Sequence, residues 1–371
     1  MRRFSWVFFP LLFLLLWGCE SQETTLSGDV LFTDVTLIDG TGADPRSNVD
    51  VLVSEGRIVE IGVDLSIPDE TLVIDGTGRY MIPGLIDTHV HLDAPIVFQL
   101  TADEKAQIIE HTPKAFLYNG VTSVLNVSSK ADWIFSQRAK ERENSLLSPR
   151  IFAMGRSFTP VGGWGSRHGG GLADTNAAIV KAEDYIARDT DGFKVVIEDG
   201  LGASGTMIRM SDEMMMAISG LAEEHEIPIY THAINLDEFH SAVKISSKAI
   251  VHGLEDRVPE GDTIWQDMID NNIAFVPTQS LWEAFLRYDE AAQDLNDPVL
   301  RASVPHFLLD YMQNPIYREE ETNRFLAVAQ MAVYKWAEEK IPIFLDNILE
   351  AHKAGVILST GTDAGGPVGY N

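Results

Sequence analysis

The chain has 371 residues, enough for one barrel-sized domain with a small appendage. Its composition, 45% hydrophobic and 22% charged, is ordinary for a globular protein. Its charge is not: 28 Lys and Arg against 55 Asp and Glu give a net −27, which argues against nucleic acid or anionic lipid as a partner of the surface.

The N-terminus reads as an address. Arg2 and Arg3 form a basic segment, and Trp6 to Trp17 an apolar stretch too short to span a membrane. The segment ends in Leu16-Trp17-Gly18-Cys19, which resembles the lipobox of bacterial lipoproteins. That resemblance implies a signal peptide over 1–18 and lipidation of Cys19. It also implies an exported, membrane-anchored protein on the periplasmic or cell-surface face; a plain signal peptide is the alternative. Cys19 is the sole cysteine, so internal disulfides and thiolate metal ligation are excluded, and any metal must be held by N and O donors. Residues 19–28 read as a polar tether.

Residues 29–82 read as short strands. Val30–Ile38, Val49–Val53, Arg57–Ile61 and Leu72–Ile74 alternate with Gly-bearing turns, the pattern of a small antiparallel β unit, part of a β-sandwich. From Pro83 the pattern changes to apolar strands alternating with helices such as Asp212–His225 and Leu326–Ala354. The strand candidates are Leu85–Thr88, Val121–Val127, Arg150–Met154, Phe193–Ile197, Ile227–Thr231, Ala249–Val251, Ile273–Val276 and Val356–Ser359. The fold class is α/β. Eight strands with crossovers read as a (β/α)8 TIM barrel over 83–371, whose active site lies at the C-terminal ends of the strands. A doubly wound sheet shares this alternation. Two spans are long for simple connections: Gly155–Asp191, with a Gly-rich run around His168, and the aromatic-rich Ser280–Phe325.

The strand ends carry the chemistry. His89 and His91 lie at i and i+2, on one face of an extended strand. Lys194 sits inside an apolar strand, although an isolated buried ammonium is costly. His232, His252 and Asp363 each end a strand. Singly, a strand histidine is more often a satisfied core residue and Asp-Ala-Gly a turn. Together they would converge on one barrel mouth, and imidazole with carboxylate suits Zn, with Mn, Fe, Co or Ni also acceptable.

At these residues, Pro83-Gly84-Leu-Ile-Asp-Thr-His89-Val-His91, Lys194, His232, His252 and Asp363, the chain resembles the amidohydrolase superfamily, from residue 29 to the end. It is most similar to the imidazolonepropionase-related, prolidase-like branch. The resemblance implies two divalent ions, His89, His91 and Asp363 holding one and His232 and His252 the other. Lys194, carboxylated by CO2, would bridge them as a carbamate. It further implies hydrolysis of an amide or peptide bond in a small substrate, such as a dipeptide or N-acyl amino acid, by metal-activated hydroxide. Asp363 would shuttle the proton, and His168 would bind substrate or the oxyanion. Tyr230, on the same face as His232, could reach the pocket or pack in the core. The alternatives are a mononuclear cyclic-amide hydrolase or deaminase-like enzyme, and a surface lipoprotein that binds without catalysis; an oligomer is allowed. The chain stops eight residues after Asp363, where family members continue with a closing helix and return strands, so it reads as truncated at the C-terminus.

Overall fold

The computed structural model describes residues 28–66, 69–93, 101–166, 170–200, 207–286, 296–316, 319 and 333–365. Cys19, the rest of the N-terminal address, and His168 lie outside the described residues. The chain divides into two compact units, Met1–Pro83 and Gly84–Asn371.

The first unit is a single mixed sheet of β1 (Val30–Leu37), β2 (Arg46–Ser54), β3 (Arg57–Gly62), β4 (Leu72–Asp75) and β5 (Tyr80–Met81). The order is β3-β2-β1-β4, with β5 also pairing β1. This corrects the antiparallel expectation. β1, β2 and β3 do form an antiparallel meander, but β4 and β5 return to run parallel to β1. Alternating residues of the first two strands make the core, with Val35, Leu37, Val49 and Val51 buried against Phe32, Val53 and Met81. The buried Asp50 carboxylate accepts the backbone N–H of Asp34 and Leu65, at 3.1 and 3.0 Å, tying the meander to the segment after β3. On β3 and β4, Ile58, Val59, Ile61, Leu72, Val73 and Ile74 are exposed.

The second unit alternates strands and helices. Its elements are β6 (Leu85–Val90), α1 (Ala102–Tyr118), β7 (Val121–Asn126), α2 (Ala131–Arg142), β8 (Arg150–Ala153), α3 (Thr175–Ala187), β9 (Phe193–Val196) and α4 (Asp212–Glu224). They continue with β10 (Ile229–His232), α5 (Leu236–Lys244), β11 (Ala249–Val251), α6 (Ile264–Asp270), β12 (Ala274–Val276) and α7 (Gln279–Leu286). The helices α8 (Pro298–Ser303), α9 (His306–Gln313) and α10 (Val333–Ala354) follow. Four of the helices, α1, α3, α4 and α5, start where a polar side chain satisfies a free N–H group. Thr101 with Glu104 and Asn235 with Glu238 form capping boxes, and Asp174 and Ser211 cap α3 and α4.

The strands form two parallel sheets, β6-β7-β8 and β9-β10-β11-β12. Backbone pairing extends beyond both. Phe158 N–H donates to the Lys194 carbonyl at 2.7 Å and its carbonyl accepts from Val196, joining the chain after β8 to β9. Phe275 N–H donates to the Ile357 carbonyl at 2.8 Å, and Thr88 N–H to Thr360 at 3.0 Å. The expected last strand, Val356–Ser359, is thus a bridge between Phe275 and Leu358 rather than a full ladder. The second unit is an α/β fold of the TIM-barrel type, and the first is an additional N-terminal sheet.

Two apolar layers hold it. Val124, Val195, Ile250 and Phe275 alternate outward into the large cluster shared with α2 to α6. Residues of opposite parity, Leu125, Val127 and Met154 in one cluster and Ala249, Val251 and Val276 in another, face the other side, and Tyr230 packs against both. Tyr230 is therefore core packing. Lys194 is in register with Tyr230, so it shares that inner face, above this apolar floor.

Candidate metal centre

The segment carrying Asp363 is sewn to β6. Asp363 N–H donates to the His89 carbonyl at 2.8 Å, and His91 N–H to the Ala364 carbonyl at 2.8 Å. The buried Asp87 carboxylate accepts from the Thr362 hydroxyl at 2.6 Å and from the N–H groups of Thr362 and His89 at 3.1 Å. Two glycines allow this approach. A β-carbon at Gly361 would fall 2.8 Å from the His89 Cβ, and one at Gly365 2.0 Å from the His91 carbonyl oxygen.

Asp363 thereby faces the histidines. Its Oδ1 lies 3.4 Å from His89 Nε2 and 3.0 Å from His91 Nε2, and its Oδ2 lies 3.9 Å from His252 Nδ1. The imidazole rings of His89 and His252 are 4.9 Å apart, and those of His252 and His232 4.2 Å. Asp363 and His252 hold left-handed backbone conformations, with φ of 59° and 81°. Residues with side chains adopt that region where the surrounding structure enforces it, commonly at functional sites.

Among the described residues, one group of side chains could hold a metal ion: His89, His252 and Asp363, all buried, whose ligand atoms lie within 4.8 Å of one another. The donor chemistry fits a divalent cation. Burial first, then the charge of Lys194 and the neighbouring imidazoles, pushes His89 well below the usual histidine range. Burial, His232 and Lys194 do the same to His252. Both are therefore neutral, the form that ligates metals. His89 Nδ1 is buried and makes no hydrogen bond among the described residues, so it is free to serve as a donor.

The geometry corrects the expectation of two ions bridged by a carboxylated Lys194. The described donors make one triad, not two sites. Lys194 stands beside it as an amine, with no hydrogen bond from Nζ among the described residues. Burial lowers its pKa to about 7, against the opposing pull of Asp363. His232, the expected ligand of a second ion, instead turns its Nε2 onto the Glu198 carboxylate. His91 lies at the rim, its Nδ1 2.9 Å from the Ser128 carbonyl and its Nε2 on Asp363. The Asp363 contact and the Ser128 carbonyl more than offset burial and raise its pKa.

Glu198 is the site residue that the strand reading passes over. It follows β9 at i+4 from Lys194, on the same alternating face, and is 1% exposed. That parity is the signal that could have found it.

The amidohydrolase family matches residues 80–369. Dihydroorotase from Mycobacterium tuberculosis is 42% identical over 81 residues, 22% of this chain and 17% of that protein. 5'-deoxyadenosine deaminase from Methanosphaera stadtmanae is 34% identical over 86 residues, 23% of this chain and 19% of that protein. The matched segments thus span about a fifth of the length of these curated relatives. Among solved structures, a Xaa-Pro dipeptidase with methionine bound in its active site superposes with a TM-score of 0.67 at 20% identity, over 91% of this chain and 80% of that one. That likeness shows a shared fold. With the family match covering most of the chain and the histidine–carboxylate group at its strand ends, the chain belongs to the amidohydrolase family and carries a candidate metal-holding triad.

Proposed function

We propose that the protein is a mononuclear metal-dependent hydrolase that cleaves a C–N bond of a small substrate, a cyclic amide or an amide. The observation that carries this reading is the buried triad of His89, His252 and Asp363 at the strand ends. Those three residues would hold the ion, which when bound polarises a carbonyl and makes water a nucleophile near neutral pH. The chain's own groups do the rest. Asp363, with Oδ1 toward His89 and His91 and Oδ2 toward His252, takes the proton of the attacking water and delivers it to the departing nitrogen. His91, anchored on the Ser128 carbonyl, fixes the orientation of that carboxylate. The relatives, a dihydroorotase, a deaminase and a dipeptidase by name, support C–N chemistry without selecting one substrate.

The strands are read as a closed eight-stranded barrel. The pairings of Phe158 with β9, Leu358 with β12 and Ala364 with β6 support closure. The N-terminal segment ending at Cys19 supports an exported, lipid-anchored protein, which intact mass measurement of the membrane-extracted chain would test.

Elemental analysis after loading with zinc or manganese tests the centre: about one ion per chain is expected. Asp363→Asn should lower hydrolysis across a panel of cyclic amides and dipeptides by about 10²-fold or more. Undiminished turnover in that variant, or a chain that binds no ion, would sink the proposal.

A further inference from the structure

Glu198 is a buried carboxylate with half of its bonding unmet. Oε2 meets His232 Nε2, while Oε1 makes no hydrogen bond among the described residues. An unpaired carboxylate oxygen away from water is costly, and proteins normally supply it with a donor. Here the neighbours do the opposite. The charge of Glu198 helps raise the pKa of both Glu238 and Glu255, after burial in each case, so it lies close enough to repel each of them, although Glu255 also has Lys340 Nζ at 3.9 Å. Among the described residues no Lys or Arg forms an ion pair with Glu198. Nor does it belong to the metal-holding triad.

Aromatic rings lie next to its neighbours His232 and Glu255. The Trp164 ring lies 6.1 Å from that of His232, and Trp336 donates its Nε1–H to Glu255 at 2.7 Å. Trp164 and Trp336 belong to one aromatic cluster with Trp282 and Phe344. Carboxylates with aromatic rings nearby make an environment that favours an ammonium group.

We propose that the substrate carries a cationic amine and that Glu198 Oε1 receives it, orienting the scissile C–N bond toward the neighbouring metal triad. This deepens the hydrolase reading by naming the class of substrate: an amide bearing an ammonium group.

Isothermal titration of the full chain at pH 7 with n-butylammonium chloride and with 1-butanol tests the Glu198 site without requiring turnover. The ammonium should bind about tenfold or more tightly than the alcohol, the value of a charge-assisted hydrogen bond. Glu198→Gln should erase that preference and Glu198→Asp should keep part of it. Equal affinities in the unaltered chain, which requires no variant to fold, or a preference that survives Glu198→Gln, overturn the proposal. Hydrolysis of N-acetylalanyl-lysine against N-acetylalanyl-norleucine, whose blocked N-termini leave the lysine side chain as the one ammonium, separates the two readings. Glu198-dependent ammonium binding without turnover of either peptide leaves the ammonium site standing and counts against the hydrolase. Equal turnover of both, with no ammonium preference, does the reverse.

Discussion

His252 Nδ1 and Thr278 Oγ1 lie 2.9 Å apart in a fully buried hydrogen bond between the ends of β11 and β12. The contact follows from register: Val251 pairs Val276, so the residues just beyond each strand meet, and both take left-handed backbone angles, 81° and 46°. The bond fixes the ring and leaves the other nitrogen of His252 free for an ion. Thr278→Val keeps the shape and removes the partner. It should weaken metal affinity by about 10- to 100-fold, read by competition with a chromophoric chelator. Unchanged affinity would mean that packing alone orients His252.

Gly361→Ala should damage the same centre from the opposite side. Its β-carbon would meet Val276 Cγ1 at 2.7 Å and the His89 Cβ at 2.8 Å, atoms that cannot move without shifting the β6 histidine. A destabilisation of about 1–3 kcal/mol is expected, together with weaker metal binding. Chemical denaturation with and without added ion checks both, and a variant as stable as the parent would show that the segment can give way.

Glu238 predicts a pH dependence of stability. Burial raises its pKa from the ordinary 4.5 to about 7, although its side chain accepts the N–H groups of Asp199, Ile234 and Asn235. A carboxyl raised on folding binds more protons folded than unfolded between those two values. Its contribution therefore stabilises the fold at the acid end and is lost as pH rises from about 4.5 through about 7. Glu238→Gln should flatten that share of the slope, and it should cost about 1–3 kcal/mol at pH 5.5 because one amide end turns a donor toward backbone donors. Urea midpoints from pH 5 to pH 8 measure both effects; parallel curves for the two proteins would refute the assignment.

β3 is an edge strand with Ile58, Val59 and Ile61 exposed. Such an edge offers unpaired N–H and C=O groups beside apolar side chains, a template for pairing between chains. Val59→Lys should lower concentration-dependent light scattering without changing the thermal midpoint. Scattering that does not respond would show that this edge is not a template for association.

Much of the centre was legible because its donors obey strand arithmetic. His89, His252 and Asp363 each close an apolar run, and the parallel ladders carry those ends to one side of the sheets. Glu198 obeys the same alternation but lies beyond the last apolar residue of its strand, where an acid reads as a solvated loop. Whether His232 faces an ion or a carboxylate depends on a contact 34 residues away, which no local pattern encodes. The carbamate bridge came from resemblance rather than from the residues, and that part of the expectation gave way. In the first unit, alternation located each strand, yet the direction of β4 and β5 beside β1 depends on loop paths that side-chain period does not specify.

The stitching of Asp363 onto β6 also has a temporal consequence. The carboxylate and the His89 carbonyl that anchors its backbone are separated by nearly the whole second unit, so the donor group cannot exist until that unit has been synthesised. An emerging chain carries His89 and His91 with no carboxylate partner of the final geometry, and loop closure over such a span is slow relative to local pairing. Metal capture should thus be among the last events of maturation, and an ion that exchanges slowly would mark chains that have completed their fold.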